Sequence, residues 1–127
     1  MYHYVRPSNE GNFPRLKVLD VVKFERQLKY FKTHFEPITI DELFIALQGH
    51  GALPENALLL TFDDGLSDHF RHVFPLLMEL KLQGSFFVPT EPLVERAVLD
   101  VHKVHHILAS QNDVSIIMKA VENEIEN

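Results

Sequence analysis

The 127-residue sequence contains no cysteine, which excludes disulfide staples, thiolate metal sites and a cysteine nucleophile together. Positive charge is scarce: 12 Lys and Arg stand against 18 Asp and Glu, for a formal net charge of −6. That balance argues against a broad footprint for nucleic acid or anionic lipid. No segment approaches the ~18 consecutive apolar residues of a membrane span. The opening Met1-Tyr2-His3-Tyr4-Val5-Arg6-Pro7 also lacks the basic stretch and apolar core of a signal peptide. A soluble, cytoplasmic chain is therefore expected. Internal repeats, low-complexity tracts and linkers are missing too, and at 46% apolar composition the length suits one domain, residues 1–127, or part of one. What is plentiful is histidine, eight in all, and imidazole is the commonest neutral metal ligand.

Residues 2–5 are aromatic and β-branched, and Arg6-Pro7 stops them, as expected of an opening strand. After Asp20, Val21, Phe24, Leu28, Phe31 and Phe35 recur at three- and four-residue steps with charge on the other face, which predicts an amphipathic helix. Residues 37–40 read as a very short strand. Thr39 and Glu42 then have the spacing of a capping box opening a second helix, with Gly49 and Gly51 at its end. Residues 57–62 form an apolar run broken only by Thr61, the pattern of a parallel strand covered on both faces. Helical spacing resumes at Ser67, predicting Phe70, Val73, Phe74, Leu77 and Leu80 on the inner side, a kink or restart at Pro75, and closure at Gly84. Residues 85–88 supply a second buried strand, so 57–88 should be a right-handed βαβ unit. Two more helical stripes follow, one through Val101, Val104, Ile107 and Leu108, the other through Val114, Ile117, Met118, Val121 and Ile125. The acidic end, residues 122–127, is expected to fray. Strands alternating with helices give an α/β class with parallel strands. Only about four strands can be counted, whereas a closed (β/α) barrel takes ~250 residues; an open, apolar sheet edge and self-association are expected.

The informative feature is Leu58-Leu59-Leu60-Thr61-Phe62-Asp63-Asp64-Gly65. It places two adjacent carboxylates at the carboxyl end of the best-defined strand, which is where parallel α/β folds bind ligands. Gly65 permits a turn that lets both side chains face one pocket. Two neighbouring carboxylates repel, and the arrangement becomes favourable when a divalent cation binds one and the other stays available as a base. An Asp-Gly pair is also an ordinary hairpin turn, but helical spacing rather than an alternating strand follows it.

Thr61-Phe62-Asp63-Asp64-Gly65 resembles the first motif of the polysaccharide deacetylase family. Gly84-Ser85-Phe86-Phe87-Val88 is similar to the Gly-Ala-Thr-Phe-Phe-Val strand that follows it there, and Tyr2-His3-Tyr4-Val5 looks like the Tyr-His strand that begins many members. The resemblance covers at least residues 1–90. Residues 98–109 look like a helix of a subgroup associated with surface polysaccharide synthesis. The resemblance implies part of a distorted (β/α) barrel, roughly its N-terminal half, forming a catalytic domain incomplete at its C-terminal end. It also implies hydrolysis of an N-acetyl group from a sugar or polysaccharide, with Asp63 as general base and Asp64 as ligand of a divalent metal, usually zinc. The metal would polarise the amide carbonyl and lower the pKa of bound water while the carboxylate removes the proton.

A catalytic zinc usually has three protein ligands, and the family completes its set with a downstream His-Ser/Thr-x-x-His motif that this sequence does not contain. The nearest spacing is His102-Lys103-Val104-His105-His106, with His102 and His106 four apart on one helical face. At ~100° per residue, His105 is expected beside the apolar stripe and His102 and His106 toward solvent, so a structural role competes with ligation. Asp68, His69 and His72 could line the pocket or simply form a solvated helix start. His3 is a candidate substrate-binding residue, against the reading of an ordinary edge-strand side chain. Two other functions compete: a carbohydrate-binding remnant without catalysis, and a phosphohydrolase with an aspartyl nucleophile, for which the required Asp-x-Asp-Gly-Thr spacing is absent. A chain cut short of its histidine motif would be at most weakly active.

Overall fold

In the computed structural model, which describes residues 1–125, the chain divides into two compact units. The first comprises Met1–Ser8 and Val18–Pro89. It opens with helix α1 (Val21–His34), whose start is set by Asp20: the side chain accepts the Val22 N–H in place of the missing intrahelical partner. The predicted apolar face is the one that packs, with Phe24 and Leu28 fully buried. Strand β1 (Glu36–Pro37) is shorter than expected and leads into helix α2 (Ile40–Leu47). The capping box is present: the Thr39 hydroxyl accepts the Glu42 N–H at 3.1 Å and a Glu42 carboxylate oxygen accepts the Thr39 N–H at 2.6 Å. Gly49, at φ +78°, follows the helix end.

The apolar run at 57–62 does not form one strand. It divides into β2 (Ala57–Leu58), paired parallel with β1, and β3 (Thr61–Asp63), paired parallel with β4 (Ser85–Phe87). The chain thus changes partner at Leu59 and Leu60. Residue Tyr2 adds to the far edge of β3 through a parallel bridge to Phe62, with Tyr2 N–H on the Thr61 carbonyl and Asp63 N–H on the Tyr2 carbonyl, both at 2.9 Å. The opening segment is therefore a pair of bridges, Tyr2 to Phe62 and Val5 to Leu19, rather than a continuous strand. The expected α/β architecture with parallel strands is present, and β3 and β4 form the predicted parallel βαβ unit. The described strands make open parallel pairs rather than a closed barrel.

Between β3 and β4 the helix departs from expectation. A single π-helical turn (His69–Val73) precedes helix α3 (Phe74–Leu80). Pro75 explains the turn: it has no N–H to give, and its ring would strike the carbonyl four residues back, so the chain widens one turn earlier. The Phe74 N–H reaches the His69 carbonyl. The wider turn rotates the register. His69, Val73 and Leu77 point inward, whereas Phe70, expected inside, is 78% exposed and Phe74 is also exposed. Helix α3 ends at Lys81 in the left-handed region, φ +54°, so Gly84 does not close it. Gly84 instead allows close approach: a Cβ there would lie 2.6 Å from Phe62 Cε2. Phe62 is the centre of the core, fully buried, stacked against Tyr2 at 5.4 Å and Phe86 at 4.9 Å and edge-on to Phe24 at 6.1 Å. Phe86, Phe87 and Val88, expected to be buried, are largely exposed because nothing among the described residues pairs with the outer edge of β4.

The second unit comprises Asn9–Lys17 and the chain from Thr90 onward. It contains the short helix α4 (Glu91–Val94), then α5 (Asp100–Ser110) and α6 (Val114–Ile125). The expected faces of α5 are inverted. His102, only 7% exposed, and Ala109 are buried, and His106 is half-buried, while Val101, Val104, Ile107 and Leu108 are exposed. Contacts from the loop Asn9–Lys17 account for this. Phe13 stands edge-on to His106 at 4.9 Å, and the Arg15 guanidinium donates to the Leu108 and Ala109 carbonyls, each at 3.2 Å. Most of the α6 stripe is exposed as well. That helix continues to Ile125, so the expected fraying does not begin at Glu122; residues 126 and 127 lie outside the described residues. No described helix is long and apolar enough to cross a membrane.

Candidate active site

Asp63 and Asp64 lie where the parallel pair ends. Asp63 is the last residue of β3. Asp64 takes φ +73° and Gly65 φ +57°, two successive left-handed residues that break strand alternation and turn the chain sharply into the following helix. A short polar residue tolerates this region better than most. Gly65 is required twice over, since a Cβ there would also lie 2.7 Å from Val88 Cγ1.

His3 joins this end through the opening segment. With Tyr2 bridged to Phe62, His3 is carried next to Asp64, and its Nδ1 lies 3.0 Å from Asp64 Oδ2. The imidazole donates Nδ1–H to the carboxylate. An imidazole and a carboxylate are donor types that suit zinc, but among the described residues no group of three or more His, Asp or Glu is placed to hold a metal ion. The pair matches zinc in kind and falls short of a catalytic zinc site in number. His102 and His106 lie on α5, in the second unit. The His106 Nδ1 is 2.7 Å from the His102 carbonyl oxygen, an i to i+4 contact within the helix.

The residues immediately after Gly65 prove more than a solvated helix start. Asp68 and His69 are each only 4% exposed. The Asp68 carboxylate accepts Arg6 Nε–H at 2.7 Å, so this buried charge is compensated. His69 Nε2 lies 2.8 Å from the His3 carbonyl oxygen. The Arg6 guanidinium also stands 5.5 Å from the centre of the Tyr4 ring. Burial pushes the Tyr4 phenol above its usual range; Arg6 opposes this, and the Asp64 and Asp68 carboxylates add to it. Tyr4, Arg6, Asp68 and His69 thus surround the pair, and in the sequence Arg6 shows only as the end of a strand. Beside Gly65 an open, mainly apolar cavity of about 270 Å³ is lined by Leu66, His69, Phe70, Phe74, Phe86 and Val88.

The sequence profile described as polysaccharide deacetylase matches residues 50–126, more than half the chain. The chain belongs to the polysaccharide deacetylase family. This deacetylase-like chain is 25% identical over 89 residues to the protein named putative polysaccharide deacetylase YxkH of Bacillus subtilis (strain 168); the match covers 69% of the chain and 30% of that protein. Over 43 residues it is 42% identical to the poly-beta-1,6-N-acetyl-D-glucosamine N-deacetylase of Escherichia coli (strain K12), covering 34% of the chain and 6% of that protein. Its fold is similar to that of the Streptococcus pyogenes deacetylase PplD, solved in complex with acetate, at a TM-score of 0.60 and 18% identity over 76% of this chain and 44% of that one. The chain therefore spans about a third or less of the length of these two sequence relatives.

Proposed function

We propose that this chain carries the carboxylate part of a carbohydrate de-N-acetylase site, acting on N-acetylated sugars or polysaccharides and releasing acetate and a free amine. The observation that supports it best is the Asp63-Asp64 pair at the carboxyl end of β3, with the His3 imidazole on Asp64. In this reading Asp63 is the base that takes a proton from the attacking water, and Asp64 holds a divalent metal, with zinc the expected ion. When bound there, such an ion would supply Lewis-acid polarisation of the amide carbonyl and a more acidic water. In the same reading His3, beside Asp64, is the substrate-binding residue. A carboxylate has acceptor positions on two oxygens, so an imidazole and a cation on the same group are compatible. Because the E. coli relative is a poly-beta-1,6-N-acetyl-D-glucosamine N-deacetylase, β-1,6-linked N-acetylglucosamine oligomers are the first substrate to try. His102 and His106 remain the candidates to complete the ligand set, and a complete site would need them beside Asp64.

The test is calorimetric titration of zinc into the full chain, Asp64→Ala, and the His102→Ala/His106→Ala double variant, alongside an acetate-release assay on N-acetylglucosamine oligomers. Weak zinc binding that a chelator removes, and that disappears in Asp64→Ala, is the expected result. Binding that survives Asp64→Ala would sink the proposed metal site. Sugar binding with no acetate release at any zinc concentration would make the chain a binding module instead.

A further inference from the structure

We propose that His69 is a positioning residue for this site: its buried imidazole fastens the His3 backbone, and so sets the His3 ring on Asp64. The proposal rests on the deacetylase reading for its catalytic consequence and on geometry alone for its structural one.

The opening segment is tied down on both sides of His3. Tyr2 is fixed by its two hydrogen bonds to β3; Tyr4 and Arg6 are fixed to Leu19, whose N–H meets the Tyr4 carbonyl at 3.0 Å and whose carbonyl accepts the Arg6 N–H at 3.1 Å. The His3 carbonyl finds its partner in a side chain, His69 Nε2 at 2.8 Å. A carbonyl oxygen can only accept, so Nε2 must carry the hydrogen. The other ring nitrogen, Nδ1, is buried without a hydrogen-bond partner among the described residues, so the His3 carbonyl is the contact that orients the ring. The ring therefore presents Nε2–H as a fixed donor aimed at one atom.

The ring itself has little freedom. It lies 5.6 Å from the Phe62 ring and 5.9 Å from the Phe86 ring, and its backbone N–H is held by the Leu66 carbonyl at 3.0 Å. The π-helical turn starts at this residue, and such turns are frequent at functional sites. Asp68, its neighbour, grips Arg6 three residues further along the same segment. Two consecutive side chains thus anchor the strip that presents His3 to Asp64.

The experiment uses the full chain with 15N-labelled histidine. In the wild type the imidazole spectrum should show His69 carrying a hydrogen on Nε2 and a slowly exchanging Nδ1–H on His3, bonded to Asp64. His69→Phe retains an aromatic ring but removes the donor; it should fold and lose the protected His3 signal. His69→Gln restores an N–H at similar reach and should recover it. On N-acetylglucosamine oligomers kcat should fall by roughly tenfold in His69→Phe, with KM changed much less, as expected of misplacement rather than lost substrate contact, and His69→Gln should regain most of it. A wild-type spectrum showing His69 as the Nδ1–H tautomer overturns the proposal without any variant, which covers a His69→Phe that fails to fold. A folded His69→Phe that keeps the protected His3 proton overturns it too. If the wild type releases no acetate, the deacetylase reading fails while the spectra still decide whether His69 positions His3.

Discussion

Gly84→Ala offers the sharpest test of how β3, α3 and β4 pack. Glycine here is not needed for an unusual φ, so the substitution would by itself stabilise by about 0.4–1 kcal/mol through the unfolded chain. Against that stands the contact: the new Cβ would lie 2.6 Å from Phe62 Cε2, 3.0 Å from Leu77 Cδ1 and 3.1 Å from Phe62 Cδ2. To reach an ordinary van der Waals separation the ring or β4 must move by roughly 0.8 Å, the scale of an inserted methylene in a close-packed interior. Phe62 is boxed in by Tyr2, Phe24 and Phe86 and cannot yield without disturbing them. Overpacking of this kind costs about 1–3 kcal/mol, so the clash should prevail, with a net loss of about 1–2 kcal/mol. In urea denaturation the midpoint should fall with m unchanged. Trimming the ring should relieve the strain, so Gly84→Ala should cost far less in a Phe62→Leu background, giving a coupling of about 1 kcal/mol between the two sites. A Gly84→Ala variant as stable as the wild type would refute the packing described for Phe62.

Other outcomes follow from the same structure. Arg6→Met leaves the buried Asp68 carboxylate uncompensated and should cost about 3–5 kcal/mol in urea denaturation, whereas Arg6→Met/Asp68→Leu should recover most of it; equal losses would show that the ion pair is not the reason. Backbone N–H groups of Ser8 and Val22 hold the Asp20 carboxyl below its ordinary value of 3.8. Its stabilisation should therefore be present above that pH and be lost as pH falls through the lower folded-state value. Asp20→Asn should flatten this part of the acid limb of a denaturation midpoint-versus-pH curve. Thr39→Ala removes the capping box of α2 and should cost about 1 kcal/mol, and Thr39→Gly less. Phe70, Phe74, Phe86, Phe87 and Val88 are all exposed in the first unit, an apolar surface that should drive self-association; light scattering showing a monomer at high concentration would count against it.

The parts of this fold that could be read in the sequence are those written by near neighbours. Asp20 at the start of α1, Thr39 with Glu42, and the apolar spacing of Phe24 and Leu28 are each settled within one or two turns of chain. The parallel relation of β3 and β4 was also legible, since an apolar run, a helix and a second run leave few alternatives. Partner choice was not. Residues 57–62 are uniformly apolar, so nothing local marks Leu59 and Leu60 as the point where one strand partner gives way to another. Pro75 announced an irregularity, but only the direction in which the chain widened decided that His69 would turn inward and Phe70 outward. On α5, periodicity identified a face able to be buried, while Phe13 and Arg15, distant in sequence, selected the other. His3, Asp68 and His69 were legible as candidates, but the contacts among them escaped for the same reason: Arg6 meets Asp68 across 62 residues and His3 meets His69 across 66.

Those separations impose an order in time. The segment that presents His3 leaves the ribosome some 66 residues ahead of the imidazole that fastens it, a wait of roughly 3–13 s at ~5–20 residues per second. During that interval α1 and α2 can form from local signals, but the Tyr2 backbone has no strand to join and the Arg6 guanidinium no carboxylate. The carboxylate end of β3 therefore becomes native late, once the longest loops have closed, and a nascent chain halted before Asp68 would lack the clasp on its opening segment.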